Sequence, residues 1–283
     1  MRPLRILATD WRSIAGCLRL CLCFWALSGG SAMRDHGGDL AQAQARFGAG
    51  NWMDLSTGIN PVAYPMPDLP LESLTRLPGS DDIKALERAA AACYRTPATV
   101  VALAGAQSAI QLVPRLRAPG EARVLGPTYN EHAAALAAQG WQVRQVARIE
   151  ELGGAELAVI VTPNNPDGRV VSSRQLSALR DRVGMLVVDE SFVDTMPEQS
   201  FASHLAPDEA RVVLLRSFGK FFGLAGLRLG FAITGTAKAQ MLRELAGPWA
   251  VSGPALVAGR IALADAAWQD ATRSRLKQDA LRL

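Results

Sequence analysis

The sequence predicts an α/β sandwich, with helices on both faces of a mostly parallel β-sheet. Short β-branched segments alternate with helical segments from Asp54 onward, and several of the short segments are apolar at every position. Strands that helices cover on both faces have this continuous apolar pattern. The predicted strands span residues 99–103, 122–125, 142–146, 157–161, 185–188, 211–215 and 231–234.

The segments between these strands have the apolar spacing of helices. Helices are expected at residues 82–94, 107–116, 130–139, 173–183 and 237–245, and a helical pattern continues through residues 254–283. In parallel sheets of this kind, ligands bind at the carboxyl ends of the strands. The residues directly after each strand are therefore the candidates for a functional site.

Residues 1–32 differ from the rest of the chain in composition. Arginines precede an apolar run at residues 14–27, and small residues follow at 28–32. This pattern fits a secretory signal, and it also fits translated upstream sequence before a start at Met33. On either interpretation, we expect this segment to lie outside the fold.

Composition excludes several classes of protein. The chain has 283 residues, of which 49% are hydrophobic and 20% charged, as is typical of globular proteins. Of its formal net charge of +4, residues 1–32 carry +3, so the remainder has no clustered basic face for nucleic acid. The apolar run at residues 14–27 is too short to span a bilayer and contains Arg19. We expect neither a nucleic-acid nor a membrane partner.

Cysteine usage is sparse in the body of the chain. Only Cys93 lies beyond the N-terminal segment, and no pair of cysteines has the spacing of a zinc site. The sequence therefore predicts no metal site and a reduced, cytoplasmic protein.

Four polar or glycine-rich motifs lie at predicted strand ends. Thr-Pro-Asn-Asn-Pro-Asp-Gly follows one strand at residues 162–168, and Asp189-Glu190 follows the next. Arg-Ser-Phe-Gly-Lys follows a third at 216–220, and Gly-Leu-Ala-Gly-Leu-Arg-Leu-Gly comes after it at 223–230. Alone, each motif is explained by a turn, a helix cap or a solvated lysine. Together and in this order, they favour a cofactor site.

This set of motifs resembles that of the fold-type I pyridoxal-phosphate enzymes of the aspartate aminotransferase superfamily. The resemblance implies that Lys220 forms a Schiff base with the cofactor and that Asp189 pairs with the pyridine nitrogen. It also implies that Asn164 binds the phenolic oxygen, while Ser217 and Arg228 hold the phosphate.

An earlier segment completes the cofactor site implied by the resemblance. Gly105, Ala106 and Gln107 lie where a strand turns into a helix, so that free N–H groups and the helix dipole can hold a phosphate. Tyr129 is expected to stack on the cofactor ring. Alone, Gly105 and Ala106 are explained by packing or a plain helix cap, and Tyr129 by a core or surface position.

Two subfamilies fit, the histidinol-phosphate aminotransferases and the L-threonine-O-3-phosphate decarboxylases of cobalamin biosynthesis. Segments at 35–38, 54–61 and 247–252 are similar to those of the decarboxylases. By that resemblance, His36 and Asn60 contact the substrate phosphate, and the backbone near Gly58 contacts the substrate carboxylate. His36 is equally explained as an exposed histidine in an arm, and the segment around Asn60 as a turn.

The resemblance also implies domain organisation and assembly. We expect an extension at 1–32, an arm at 33–53, a large cofactor-binding domain at 54–247, and the truncated start of a small domain at 248–283. A homodimer with a small amino-acid phosphate as substrate is expected. The family pattern departs at Leu77, where a partner-subunit tyrosine is usual, and in the small-domain arginines that clamp the substrate.

Three activities therefore stay open on the sequence alone. Decarboxylation of threonine phosphate is the leading hypothesis. An aminotransferase acting on histidinol phosphate or a related amino acid is the second. A non-catalytic remnant that binds only the cofactor or a partner chain is the third.

Overall fold

The computed structural model describes residues 5–7 and 37–282. The chain divides into two compact units, Met1–Ile59 and Asn60–Leu283. In the first unit, strand β1 (Arg5–Leu7) pairs in parallel with strand β2 (Trp52–Asp54), and helix α1 spans Leu40–Phe47. Asp39 caps this helix by accepting a hydrogen bond from the Gln42 N–H.

Among the described residues of the second unit, seven strands form one sheet in the order β3-β9-β8-β7-β6-β4-β5. Strand β9 is antiparallel to both of its neighbours, and the other strands are parallel to one another. The strands are β3 (Thr99–Leu103), β4 (Glu121–Leu125), β5 (Gln142–Val146), β6 (Leu157–Val161), β7 (Leu186–Asp189), β8 (Val212–Ser217) and β9 (Gly230–Thr234). The mostly parallel sheet expected from the sequence is confirmed, with each predicted strand found within two residues of its expected bounds.

Helices cover both faces of this sheet. They are α2 (Glu72–Thr75), α3 (Ser80–Cys93), α4 (Ala106–Leu112), α5 (Glu131–Ala138), α6 (Ser173–Arg180), α7 (Phe218–Phe221), α8 (Thr236–Ala246), α9 (Gly253–Ala264) and α10 (Ala266–Leu281). Residues on alternate sides of the strands enter two separate apolar clusters. Leu86 and Phe231 belong to one cluster, whereas Leu136 and Trp141 belong to the other. Within the described ranges, no helix is both long enough and apolar enough to cross a bilayer.

Three predicted helices differ in detail from the structure. The helix expected at 107–116 is α-helical only to Leu112 and continues as a 3-10 helix over Val113–Leu116, which contains Pro114. The helix expected at 173–183 ends at Arg180, where the chain turns toward β7. The helical pattern at 254–283 forms two helices, because Asp265 ends α9 and caps α10 through the Trp268 N–H.

Candidate active site

The candidate site lies at the carboxyl edge of the parallel strands. Because β9 runs in the opposite direction, its first residue, Gly230, lies at this same edge. A Cβ at Gly230 would overlap the backbone of Gly105 and Ala106. The glycine therefore lets the start of β9 pack directly against the start of α4, which brings two distant predicted motifs together.

The start of α4 and Arg228 form a cationic cradle. Gly105 precedes the helix with φ 82° and ψ 162°, and it provides no side-chain cap for the free N–H groups. A Cβ at Gly105 would lie 2.8 Å from Arg228 Nη2, so the guanidinium passes close to this turn. Arg228 itself has a left-handed backbone (φ 53°), and its Nη1 donates to Ala225 O at 3.0 Å. Free N–H groups beside a guanidinium favour binding of an anion such as phosphate.

Ser217 lies beside this cradle. It pairs with Gly230 in the β8–β9 ladder, at the last position of its strand. Its backbone is extended and begins the short helix α7. Ser217 and Arg228 are both predicted phosphate ligands. In the sequence they lie on either side of the segment that carries Lys220.

Asp189 is a buried carboxylate at the end of β7, with an exposed fraction of 2%. Its Oδ2 lies 2.8 Å from His132 Nε2, and its Oδ1 accepts from the Ser191 N–H at 2.9 Å. Burial raises the pKa of Asp189, but the hydrogen bonds from His132 and Ser191 outweigh burial and bring the pKa below its ordinary value. The group is therefore held ionised, as a partner for a protonated ring nitrogen must be.

His132 is a site residue that the sequence motifs did not indicate. It lies near the start of α5, and its side chain is buried against Asp189. Because an ionised carboxylate only accepts hydrogen bonds, His132 donates to it through Nε2. The available signal was its position three residues after Tyr129, in a helix that begins at the same sheet edge.

Lys220 lies on α7, directly after β8. Burial is the main reason that the pKa of its amine is lowered; Arg228 lowers it further, and Asp189 opposes the change. Its Nζ lies 5.4 Å from the centroid of the Phe192 ring. No residue in the described part of the chain forms a hydrogen bond or ion pair with this amine. A lysine whose amine loses its proton more readily than usual is suited to nucleophilic attack on an aldehyde.

Asn164 is buried at the end of β6, where its side chain is fully hydrogen-bonded. Its amide donates to Pro127 O at 2.9 Å and to Asp167 Oδ1 at 2.7 Å, and its Oδ1 accepts from Thr128 Oγ1 at 2.6 Å. Binding the phenolic oxygen of a cofactor would require Asn164 to exchange one of these acceptors. That role stays a prediction.

Tyr129 and Gln107 are linked at the same edge. The Tyr129 hydroxyl donates to Gln107 Oε1 at 3.3 Å, and Gln107 Nε2 donates to Glu131 Oε2 at 2.6 Å. The Gln107 side chain is thus engaged within the chain, while its backbone and that of Ala106 belong to the first turn of α4. The Tyr129 ring meets His132 edge-on, with 6.4 Å between centroids. This fixes the tyrosine beside the Asp189–His132 pair.

Asn60 is held against the segment that carries Lys220. Its N–H donates to Lys220 O at 3.0 Å, and its Nδ2 donates to Phe221 O at 2.9 Å. Its Oδ1 accepts from Arg275 Nη2 at 2.6 Å, so both ends of the amide have partners within the chain. The predicted contact with a substrate phosphate therefore stays a prediction.

The roles of the other two predicted substrate ligands, His36 and Gly58, stay predictions. His36 lies outside the described residues. Gly58 belongs to the first unit, next to its last residue, Ile59. The structure therefore brings together Gly105, Arg228, Asp189, Lys220 and the residues around them.

Comparisons with known proteins identify the family of this chain. The model of the family described as "Aminotransferase class I and II" matches residues 51–283. The chain belongs to the aminotransferase class I and II family. The threonine-phosphate decarboxylase of Pseudomonas aeruginosa is 43% identical over 260 residues, which are 89% of this chain and 77% of that protein. The threonine-phosphate decarboxylase of a Sinorhizobium species is 44% identical over 231 residues, covering 78% and 69% respectively.

More distant members of the family share the fold. The histidinol-phosphate aminotransferase of Pectobacterium atrosepticum is 30% identical over 75% of this chain and 64% of its own length. The structure of a histidinol-phosphate aminotransferase from Clostridium acetobutylicum superposes with a TM-score of 0.69 at 20% identity, covering 80% of this chain and 74% of that one. That from Sinorhizobium meliloti, in complex with pyridoxal-5'-phosphate, gives 0.64 at 23% identity, covering 71% and 60%. The predicted fold-type I architecture is confirmed.

Proposed function

We propose that this chain is a pyridoxal-phosphate-dependent carboxy-lyase that converts L-threonine O-3-phosphate to (R)-1-aminopropan-2-yl phosphate in cobalamin biosynthesis. The observation that supports this most directly is the 43–44% identity with two threonine-phosphate decarboxylases over most of the chain. The aminotransferase alternative has weaker support, since the histidinol-phosphate aminotransferase relative is only 30% identical.

The residues present fit pyridoxal phosphate. Lys220 has an amine without a hydrogen-bond or ion-pair partner among the described residues, as a covalent attachment point requires. At Gly105, the absence of a Cβ lets the Arg228 guanidinium lie close to the start of α4. Asp189 is buried, its pKa is lowered, and it lies at the same edge of the sheet. These residues, with Ser217 and the first turn of α4, would hold the cofactor.

Each residue then has a defined task. When bound, pyridoxal phosphate supplies an electron-withdrawing ring that accepts the electron pair left when carbon dioxide departs. Asp189, kept ionised by His132, holds a proton on the ring nitrogen. Lys220 binds the cofactor and later donates a proton to the substrate carbon that has lost its carboxylate. Tyr129 is proposed to stack against the ring, and Asn164 to bind its phenolic oxygen.

Substrate recognition and assembly belong to the same proposal. We assign His36 and Asn60 to the substrate phosphate and the backbone of Gly58 to its carboxylate, on the resemblance to the decarboxylases. A cytoplasmic homodimer is the proposed working form. Sedimentation of the purified chain with cofactor would test the dimer directly.

The decisive experiment is a product assay on the purified chain supplied with pyridoxal phosphate. L-threonine O-3-phosphate should yield carbon dioxide and aminopropanol phosphate in equal amounts, with no requirement for a keto acid. Conversion of histidinol phosphate only when 2-oxoglutarate is present would instead establish the aminotransferase. Cofactor binding without either reaction would favour the non-catalytic remnant.

Two lysine variants complete the assay. Lys220→Ala should lose both the reaction and the visible absorbance of the covalently attached cofactor. Lys238→Ala is the matched control, because burial also lowers the pKa of Lys238, which lies on α8 and donates to Ala210 O. Equal activity in Lys220→Ala and Lys238→Ala would refute the assignment of Lys220.

A further inference from the structure

A buried ion network lies directly behind the candidate site and has no part in the mechanism above. Arg216 is only 2% exposed. Its Nη2 donates to Asp194 Oδ1 at 2.5 Å and its Nη1 to Glu190 Oε2 at 3.3 Å. Its guanidinium also lies 4.0 Å from the centroid of the Tyr94 ring. Removing three charges from water is costly, and buried ion pairs often add little net stability. We therefore looked for a role of this network other than stabilising the fold.

The network connects the two strands that carry the reactive groups. Arg216 is in β8, four residues before Lys220. Glu190 directly follows Asp189 of β7, and Asp194 lies in the next turn, Val193–Thr195. Arg216 therefore binds both ends of the segment 190–194 and joins them to β8.

Phe192 is in the middle of this segment, and its ring is the side chain that faces the Lys220 amine. The ring centroid lies 5.4 Å from Lys220 Nζ. Glu190 is fixed further by the Ser200 hydroxyl and the Phe201 N–H, both at 2.6 Å. Holding both ends of this five-residue segment restricts movement of the backbone that carries the ring.

We propose that Arg216 is a positioning residue for Lys220: by holding Glu190 and Asp194, it keeps the Phe192 ring against the Lys220 amine. The proposal rests on the proposed function only in treating Lys220 as the reactive lysine. The ring keeps water from the amine, and burial is the largest contribution to its lowered pKa. The charged groups that act on this amine are Asp189 of β7, which raises the pKa, and Arg228 before β9, which lowers it.

Release of the segment 190–194 should therefore return water to the amine and raise its pKa. The face of the ring also attracts a cation, which acts in the opposite direction. We expect the change in burial to outweigh this attraction, because burial is the dominant contribution at this site. A larger protonated fraction of Lys220 at neutral pH is the result.

The test measures acetylation of Lys220 against pH in the full-length chain without cofactor, by peptide mass spectrometry. The midpoint of the profile reports protonation, whereas accessibility changes only the plateau at high pH. Phe192→Leu, Asp194→Asn and Arg216→Gln should each raise the midpoint. Since one pKa unit is a factor of ten in the neutral fraction, the rate near pH 7 should fall by about threefold to tenfold.

Asp194→Asn separates positioning from direct electrostatics. Removing a negative charge should by itself lower the pKa of a nearby lysine, whereas loosening the segment should raise it. A lowered or unchanged midpoint in Asp194→Asn would overturn the proposal. The double variant Phe192→Leu/Arg216→Gln should have the same midpoint as Phe192→Leu alone, because Arg216 acts through the ring. Additive shifts would also overturn it.

Controls make every outcome decisive. Arg243→Gln removes a different partly buried ion pair, in which Arg243 Nη2 lies 2.9 Å from Glu87 Oε2, and should leave the Lys220 midpoint unchanged. Arg216→Lys retains the positive charge and should therefore raise the Lys220 midpoint less than Arg216→Gln does. Circular dichroism checks that each variant is folded. If Arg216→Gln is unfolded, the Lys220 midpoints of Asp194→Asn and Phe192→Leu still test the proposal. Because no cofactor is added, failure of the chain to bind pyridoxal phosphate would not affect the result.

Discussion

Gly105→Ala is the substitution that most directly tests the cradle at the start of α4. The backbone at Gly105 (φ 82°, ψ 162°) lies in a region that is nearly restricted to glycine, so alanine should cost about 1–3 kcal/mol of folding free energy. The new Cβ would also lie 2.8 Å from Arg228 Nη2 and displace the guanidinium. A charge-assisted hydrogen bond to phosphate contributes about 1.5–3 kcal/mol, so the Kd for pyridoxal phosphate should rise by roughly tenfold to 150-fold.

Gly247→Ala is the matched control, measured by urea unfolding and by titration with pyridoxal phosphate. Gly247 has a similar backbone (φ 74°, ψ −178°), and no non-neighbouring described atom lies within 4 Å of its Cβ position. Both variants should lose similar folding free energy, but only Gly105→Ala should bind the cofactor more weakly. Unchanged affinity in Gly105→Ala, or an equal loss of affinity in Gly247→Ala, would refute the cradle.

Two further predictions concern the Asp189–His132 pair and Asn60. A lowered pKa means that Asp189 stabilises the fold above its unfolded pKa and loses this contribution as pH falls through its folded pKa. His132→Leu should therefore cost about 3 kcal/mol of unfolding free energy at pH 7 and progressively less as the pH falls below about 4, the unfolded pKa of a carboxyl group, and a constant loss through this range would contradict this. Asn60→Ala leaves Phe221 O without its donor and should cost about 1–3 kcal/mol in urea unfolding, whereas Asn60→Ser, which keeps a donor, should cost less.

The elements that the sequence predicted correctly depend on local patterns. The strand at 157–161 is apolar at each position and is buried at each position, because helices cover both faces of the sheet. Asp189, Lys220 and Arg228 became candidates because each follows or precedes a strand within a contiguous motif. The position of Asp189 and Lys220 at one edge follows from the parallel arrangement of β7 and β8, whereas Arg228 lies there because β9 runs in the opposite direction.

The residues that the sequence did not indicate depend on pairing between distant segments. His132 and Asp189 are 57 residues apart, and nothing in the local sequence of either one specifies the other. The same is true of Asn60 and Arg275, whose side chains meet although they are 215 residues apart. No role was predicted for Arg216 or Phe192 for a different reason, since the local sequence of neither residue indicates burial or a contact with Lys220.

The position of β3 has a consequence for the order in which the chain folds. This strand is at the edge of the sheet, and its one partner there, among the described strands, is β9. Leu103 pairs with Gly230, so β3 and the turn at Gly105 join the sheet only when β9 has formed. Contacts between such distant segments form slowly, and during synthesis β3 leaves the ribosome long before β9. We therefore expect the turn at Gly105 to take its final position late, after β4–β8 have formed.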